Sequence, residues 1–290
     1  MQRPMQPVLS STLSTDWTAD GITIETLRGR FHPYGWSKPT PTTHWGVVLA
    51  RRGAYRRRVE GVEHMVDVNT GFLRRPGQEA SVSVFTTAYE ELTFLQFEPG
   101  KLGELPDLTK AVGPIRVDPR VGLAHRLLIG AVGTDDLETE AGVHALIHHC
   151  LPRPEPGRSI GRRRSTASAR RRLVADAMEL MHSSFHERLG LLELARRVGA
   201  SPYHLSRVFR EVTGITISEY RTRLRLHAVL DRLDEGDDDL AAVAAETGFA
   251  DHGHMTRTVT RFLGAAPSTL RTRLRDPGAA PLVELLTRPA

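Results

Sequence analysis

The 290-residue chain is 40% apolar and 25% charged, proportions that suit a soluble globular protein long enough for two domains. No window approaches 18 uninterrupted apolar residues and the first residues lack a signal-peptide core, so no membrane partner is expected. The lone Cys150 excludes an intrachain disulfide and fits a cytoplasmic, reducing setting. The formal charge of +5 is unevenly placed: residues 1–157 carry 17 Lys+Arg against 18 Asp+Glu, whereas residues 158–275 carry 21 against 14, so the half that faces a polyanion is the C-terminal one.

Residues 1–20 are polar and without period, and are expected to form a flexible arm. From Ile22 to Phe97 short β-prone runs alternate with Gly, Pro and polar turns: Ile22–Ile24, Trp45–Leu49, Ala54–Tyr55, Met65–Val68, Gly71–Leu73, Ser81–Val84 and Leu92–Phe97. Such spacing predicts an antiparallel barrel, and the mouth of a small barrel is a common place for a cavity. Trp36, Trp45, Tyr55, Phe72 and Phe94 could line one, although aromatics of this kind are more often core. His32, His44 and His64 are scattered and lack an H-x-H cluster, so no metal and no catalytic residue is assigned.

From about Pro119 the apolar period becomes helical, with one stripe through Val121, Leu123, Leu127 and Val132 and another through Leu137, Val143, Leu146 and Leu151. His144 and His148, like His182 and His186, are spaced i,i+4, a pattern expected of a solvated helix face more than of a metal site. Residues 152–172 are rich in Pro, Gly and Arg and predict an extended linker. Its Arg158, Arg162, Arg163, Arg164, Arg170, Arg171 and Arg172 form either a solvated tether or extra phosphate contacts.

Residues 191–275 contain one helical unit twice, at an offset of about 50. Leu205, Ser206 and Arg207 fall on Met255, Thr256 and Arg257; Arg221-Thr222-Arg223-Leu224-Arg225 returns letter for letter at Arg271–Arg275; upstream, Ala195 and Gly199 fall on Ala244 and Gly248. Each copy predicts a helix-turn-helix, over 191–213 and 240–262. In the first, Gly199 ends one helix and Ser201-Pro202 caps the next; in the second, Gly248 and Asp251 do the same. Between them Ile217–Leu233 is a long amphipathic helix that fixes the spacing of the two units.

The motifs L-x-x-[LV]-A, S-P-x-x-L-S-R-x-F and T-G in the first copy, with G-F-x-D-x-x-x-[apolar]-x-R, F-x-G and Pro in the second, resemble the AraC/XylS family of bacterial transcription regulators. The resemblance covers roughly residues 170–275. It implies an α+β multidomain chain: a cupin-like antiparallel β-barrel sensor with flanking helices over 21–151, the linker over 152–172, an all-α DNA-binding domain over 173–275 and a tail over 276–290. It further implies double-stranded DNA and RNA polymerase as partners, a small-molecule effector, activation of transcription, and a homodimer paired through the late helices of the sensor, which could equally just cover the barrel.

A recognition helix presents its outward side chains to base edges in the major groove. With Leu205, Val208, Phe209 and Val212 inward, Tyr203, Ser206 and Arg207 are expected to read bases, and His204 and Arg210 to meet phosphate. With Met255, Val259 and Phe262 inward, His252, His254 and Arg257 are expected to read bases, and Thr256 and Arg261 to meet phosphate; Arg170, Arg171 and Arg172 are added as phosphate contacts. Gly253 and Met255 depart from the family pattern, so the second unit is expected to touch fewer bases. Two rival readings are a metal-dependent cupin enzyme with a DNA-binding tail and a non-specific architectural DNA-binding protein.

Overall fold

The computed structural model describes residues 8–85, 88–109, 114–151, 164–187, 189–277 and 280–287; Arg158, Arg162 and Arg163 of the expected linker lie outside them. The chain divides into two compact units, residues 1–116 with 150–163, and residues 117–149 with 164–290.

The first unit is a curled antiparallel sheet. Its strands are β1 (Val8–Ala19), β2 (Ile22–Phe31), β3 (Thr40–Pro41), β4 (Trp45–Arg52), β5 (Ala54–Val59), β6 (Val62–Asp67), β7 (Thr70–Arg74), β8 (Glu79–Ser83), β9 (Ala88–Phe97) and β10 (Pro114–Arg116). They run in the order β1-β2-β9-β4-β7-β6-β5-β8-β3, with β10 added beside β7. Two hairpins have two-residue turns with both central residues at positive φ, Asp20-Gly21 and Glu60-Gly61, and this fixes the registers Ala19↔Ile22 and Val59↔Val62. The expected flexible arm is therefore corrected from Val8 onward. It is strand β1, paired along β2 with Trp17 buried, and the Asp-Gly turn is what folds it back. Curling brings Phe31, Ala50, Tyr55, Val66, Val84 and Leu92 into one core on the inner face.

The second unit is helical: α1 (Pro119–Ala131), α2 (Asp136–Cys150), α3 (Arg164–Ser184), α4 (Leu191–Arg197), α5 (Pro202–Thr213), α6 (Ile217–Asp234), α7 (Leu240–Glu246), α8 (His252–Leu263), α9 (Pro267–Arg275) and α10 (Ala280–Thr287). Two boundaries differ from the sequence reading. Helix α3 begins at Arg164, inside the stretch expected as linker, because Val174, Ala177, Met178 and Met181 give it a buried face against α4 and α5. Helices α1 and α2 belong to the helical unit and not with the sheet.

The reason lies in the packing of α1. Its stripe, Val121, Leu123, Leu127 and Leu128, is buried against α6, α8, α9 and α10. Gly122 allows the approach, since a Cβ there would stand 2.2 Å from Cε1 of His227 on α6. One turn on, the buried Arg126 donates to Asp231 Oδ1 at 2.6 Å and to the Gly122 carbonyl at 3.0 Å, and lies 3.3 Å from His227 Nδ1. Burial first, then the Arg126 and Arg223 charges, holds His227 well below the usual histidine range, so it is neutral. An apolar stripe spent inside the chain is not available for pairing protomers. The tail also has a place: Leu282 of α10 is fully buried beneath Gly142 of α2.

Candidate functional site

Both copies of the helix-turn-helix are built as their punctuation predicts. Ser201 caps α5, its Oγ accepting from the His204 amide at 3.3 Å, with Pro202 at the first position; Asp251 caps α8, Oδ1 accepting from the His254 amide at 2.6 Å. Both helices end on left-handed glycines, Gly214 at φ 81° and Gly264 at φ 77°. Ala195 and Ala244 are fully buried where the first helix of each unit meets the second, and Tyr220 of α6 packs edge-on to Phe209 with ring centroids 5.5 Å apart.

Helix α5 buries Leu205, Val208 and Phe209; Tyr203 is 79% exposed, His204, Arg207 and Arg210 are exposed, and Ser206 is half-buried. Val212, expected inward, is 38% exposed, in the last turn of α5. Helix α8 buries Met255, Thr258, Val259 and Leu263 and exposes His252, His254, Arg257 and Arg261, with Thr256 half-buried. Leu263 takes the buried place expected for Phe262, whose half-buried ring lies 4.8 Å from the Arg261 guanidinium.

The exposed faces are not equally free. Arg207 approaches Glu211 only at 3.9 Å, a loose surface pair one helical turn on. Arg170, expected to meet phosphate, donates to Glu211 Oε2 at 3.0 Å and so ties α3 to α5; Arg171 is half-buried and Arg172 exposed. On α8 the His254 ring stands edge-on to Phe249, centroids 5.4 Å apart, and His252 Nε2 lies 3.3 Å from Thr256 Oγ1. A Cβ on Gly253 would come within 3.2 Å of Arg257 Nη1, so the missing side chain leaves room for that guanidinium.

The repeated Arg-Thr-Arg-Leu-Arg has a structural task that sequence comparison alone did not show. Arg221 donates to the Leu189 carbonyl, and Arg225 to the carbonyls of Phe185 at 2.8 Å and Glu187 at 3.2 Å, in the segment leading into α4. In the second copy Arg271 donates to the Asp237 carbonyl at 3.2 Å and Arg275 to that of Gly236 at 2.7 Å, in the segment leading into α7. Each unit thus uses two arginines to satisfy the backbone of its own entry loop.

The half-barrel holds a cavity of about 250 Å³. Tyr55, Phe72 and Phe94 of the expected aromatics line it; Trp45 does not, and Trp36 instead lies under the Arg58 guanidinium at 3.7 Å. Three charged residues that the sequence reading left out also line it: Arg57, Arg74 and Glu90. The available signal was strand alternation, since Tyr55 and Arg57, Phe72 and Arg74, and Glu90 and Leu92 are i,i+2 pairs that share the inner face. Burial pushes the Glu90 carboxyl up to about 7 and the Arg57 guanidinium down to about 10. Among the described residues no group of three or more His, Cys, Asp or Glu is placed to hold a metal ion, and no helix is long and apolar enough to cross a membrane.

The family model described as a helix-turn-helix domain matches residues 194–273. A helix-turn-helix-type transcriptional regulator of Mycobacterium tuberculosis is 37% identical over 79 residues, covering 27% of this chain and 30% of that protein. The bifunctional transcriptional activator and DNA repair enzyme AdaA of Bacillus subtilis is 30% identical over 93 residues, covering 32% and 44%. The chain therefore spans less than half the length of these curated relatives. Among solved structures, ToxT of Vibrio cholerae bound to an unsaturated fatty acid overlaps 87% of this chain and 95% of its own, at 9% identity and a TM-score of 0.36, which fixes no shared ligand. Two capped helix-turn-helix units, braced alike by their own arginines and joined by α6, make residues 194–273 of this chain a helix-turn-helix domain.

Proposed function

We propose that the chain is a sequence-specific DNA-binding regulator of transcription that reads two short DNA elements, one with α5 and one with α8, and that the occupancy of the half-barrel cavity biases this binding. The observation that carries the first part is the pair of equivalent exposed arginines, Arg207 and Arg257, each on the second helix of its own unit and each, among the described residues, without a carboxylate closer than the loose Arg207–Glu211 pair at 3.9 Å. An arginine fork paired with guanine O6 and N7 supplies about 1–3 kcal/mol of discrimination. Tyr203, Ser206, His252 and His254 surround the two arginines as further base readers. His204, Arg210, Thr256, Arg261, Arg171 and Arg172 supply phosphate contacts, which position the protein without specifying sequence. Two helices on one rigid connector enter successive major grooves about 34 Å apart, or bend the duplex to meet them.

The regulator acts in the cytoplasm, on promoter DNA, with RNA polymerase as the partner whose recruitment it changes. Any homodimer uses surfaces other than the buried stripe of α1. Effector action needs only that a ligand bind one conformation of the sensor better than another.

Selection of bound sequences from random duplex DNA by the full chain, repeated with Arg207→Ala and Arg257→Ala, tests the DNA reading. A two-part motif is expected, with each substitution relaxing a different part while the other persists. Uniform loss of affinity across all sequences in both variants would mean phosphate contact only, and would favour a non-specific binder.

A further inference from the structure

The charges of the cavity are unusual for so apolar a space. Arg57 is only 6% exposed, lies with its guanidinium 4.1 Å from the Phe72 ring centroid, and donates through Nη2 to Gln78 Oε1 at 3.0 Å. Arg74 stands two residues along β7 from Phe72, over the Phe94 ring at 5.4 Å. Among the described residues neither arginine makes an ion pair with a carboxylate, although Glu25 acts on Arg74 through space and offsets part of its burial. Their mutual repulsion, with burial the larger cause, is part of what depresses Arg57. Ring faces offset some of the cost of two cations in a low-dielectric wall, but a buried guanidinium is strongly stabilised only by an anion that takes its fork.

A second observation points to a ligand independently. Glu90 is 3% exposed, lines the same cavity, and its Oε1 has no hydrogen-bond partner among the described residues. A buried carboxyl oxygen left without a partner is costly in a finished core and is expected where another molecule completes the set; with burial pushing its pKa up to about 7, Glu90 in its protonated form can donate that O–H to an acceptor on the ligand. Beyond these groups the walls are mainly apolar, from Leu27, Phe31, Val82, Val84, Leu92 and Phe94, with hydroxyls of Tyr34, Ser37, Thr40, Thr42 and Tyr55 also on the lining.

We propose that the half-barrel cavity binds a small organic acid with a ring-sized apolar body, its carboxylate held between Arg57 and Arg74. This rests on the reading of the cavity as the effector site. A metal or an amine is disfavoured by the two guanidinium groups. A bare inorganic anion would leave the apolar walls unfilled, so the carbon body supplies part of the affinity and the carboxylate the selectivity.

The test is titration calorimetry on the full chain with three probes: 3-phenylpropanoate, its neutral isostere 3-phenylpropanamide, and inorganic phosphate. The acid is expected to bind at least about tenfold more tightly than the amide or phosphate. Arg57→Gln and Arg74→Gln should each weaken the acid by about tenfold or more and leave the amide unchanged, whereas Arg57→Lys, which keeps a cation without the fork, should fall between. The lysine variant also guards against a glutamine variant that fails to fold. Equal binding of acid and amide, phosphate binding as tight as the acid, or no binding by any probe would overturn the proposal. DNA binding, measured with and without the acid, distinguishes the failures. Acid binding that leaves DNA affinity unchanged would sink the effector reading and keep the ligand class; a DNA motif with no acid binding would sink the ligand class and keep the DNA-binding reading.

Discussion

The two helix-turn-helix units share a skeleton and differ in what surrounds it. The first presents a bare basic face: Tyr203 stands almost fully in solvent, and Gly199, at φ 68°, has open space around it. The second is more enclosed: Phe249 takes the place of Ala200 and braces His254, while Gly248, at φ 79°, lies against the backbone of His186. Duplication kept the caps, the small residues at the helix crossing and the loop-bracing arginines, because each meets a backbone need that arises once per unit. The exposed faces differ more, because little packing constrains them beyond the contact of Phe249 with His254.

Substitution at the paired glycines should widen this contrast most. At Gly248 a Cβ would meet the His186 carbonyl oxygen at 2.7 Å in a left-handed conformation, so Gly248→Ala is expected to cost about 3 kcal/mol, against about 1 kcal/mol for Gly199→Ala. Denaturant unfolding of the two variants measures the difference; equal costs would mean the second turn is no more enclosed than the first. Next in size, Arg221→Ala and Arg271→Ala should each lose about 2 kcal/mol, since each removes a charged donor from a loop carbonyl. If they differ by more than about 1 kcal/mol, the letter-for-letter repeat does not carry the same task in both copies.

The caps come next. Ser201→Ala and Asp251→Ala should each cost about 1 kcal/mol, with Asp251 the larger because its carboxylate also faces the positive end of α8 and makes the shorter bond, 2.6 Å against 3.3 Å. Salt titration of the two melting curves should shrink that gap. The smallest effect belongs to Tyr203→Ala, which should change stability by less than about 0.5 kcal/mol while altering the selected DNA motif. A large loss of stability there would mean that the ring packs on the protein and does not wait for DNA.

What the sequence disclosed follows from how local each signal is. Glycine at a left-handed position, a cap three residues from its amide and an apolar stripe of period 3.6 all act within a dozen residues, so both units and α6 were legible to within a residue or two. Strand β1 was missed although Asp20-Gly21 marks its turn, because its own stretch lacks apolar alternation and gains it only from β2. The seat of α1 on α6 depends on Gly122 meeting His227, more than a hundred positions apart, and nothing local announces that. Arg57, Arg74 and Glu90 were overlooked because a charged residue in a strand is first read as solvent-facing; only the curl of the sheet turns those positions inward. The base and phosphate assignments on α5, α8 and α3 stand as proposals resting on surface position; on α3, Arg170 is also paired with Glu211.

The grafting of α1, α2 and α10 onto the helical unit bears on how the chain can be cut. A fragment starting at Arg164 would leave His227 of α6 uncovered on the side where α1 lies, and would remove Arg126, an ion-pair partner of Asp231. It would also orphan Leu282, whose cover is α2. An excised helix-turn-helix piece would therefore need α1 and α2 supplied with it, by circular permutation or by co-expression, and chimaeras joined at the Arg-rich stretch would exchange part of the helical unit along with the sheet.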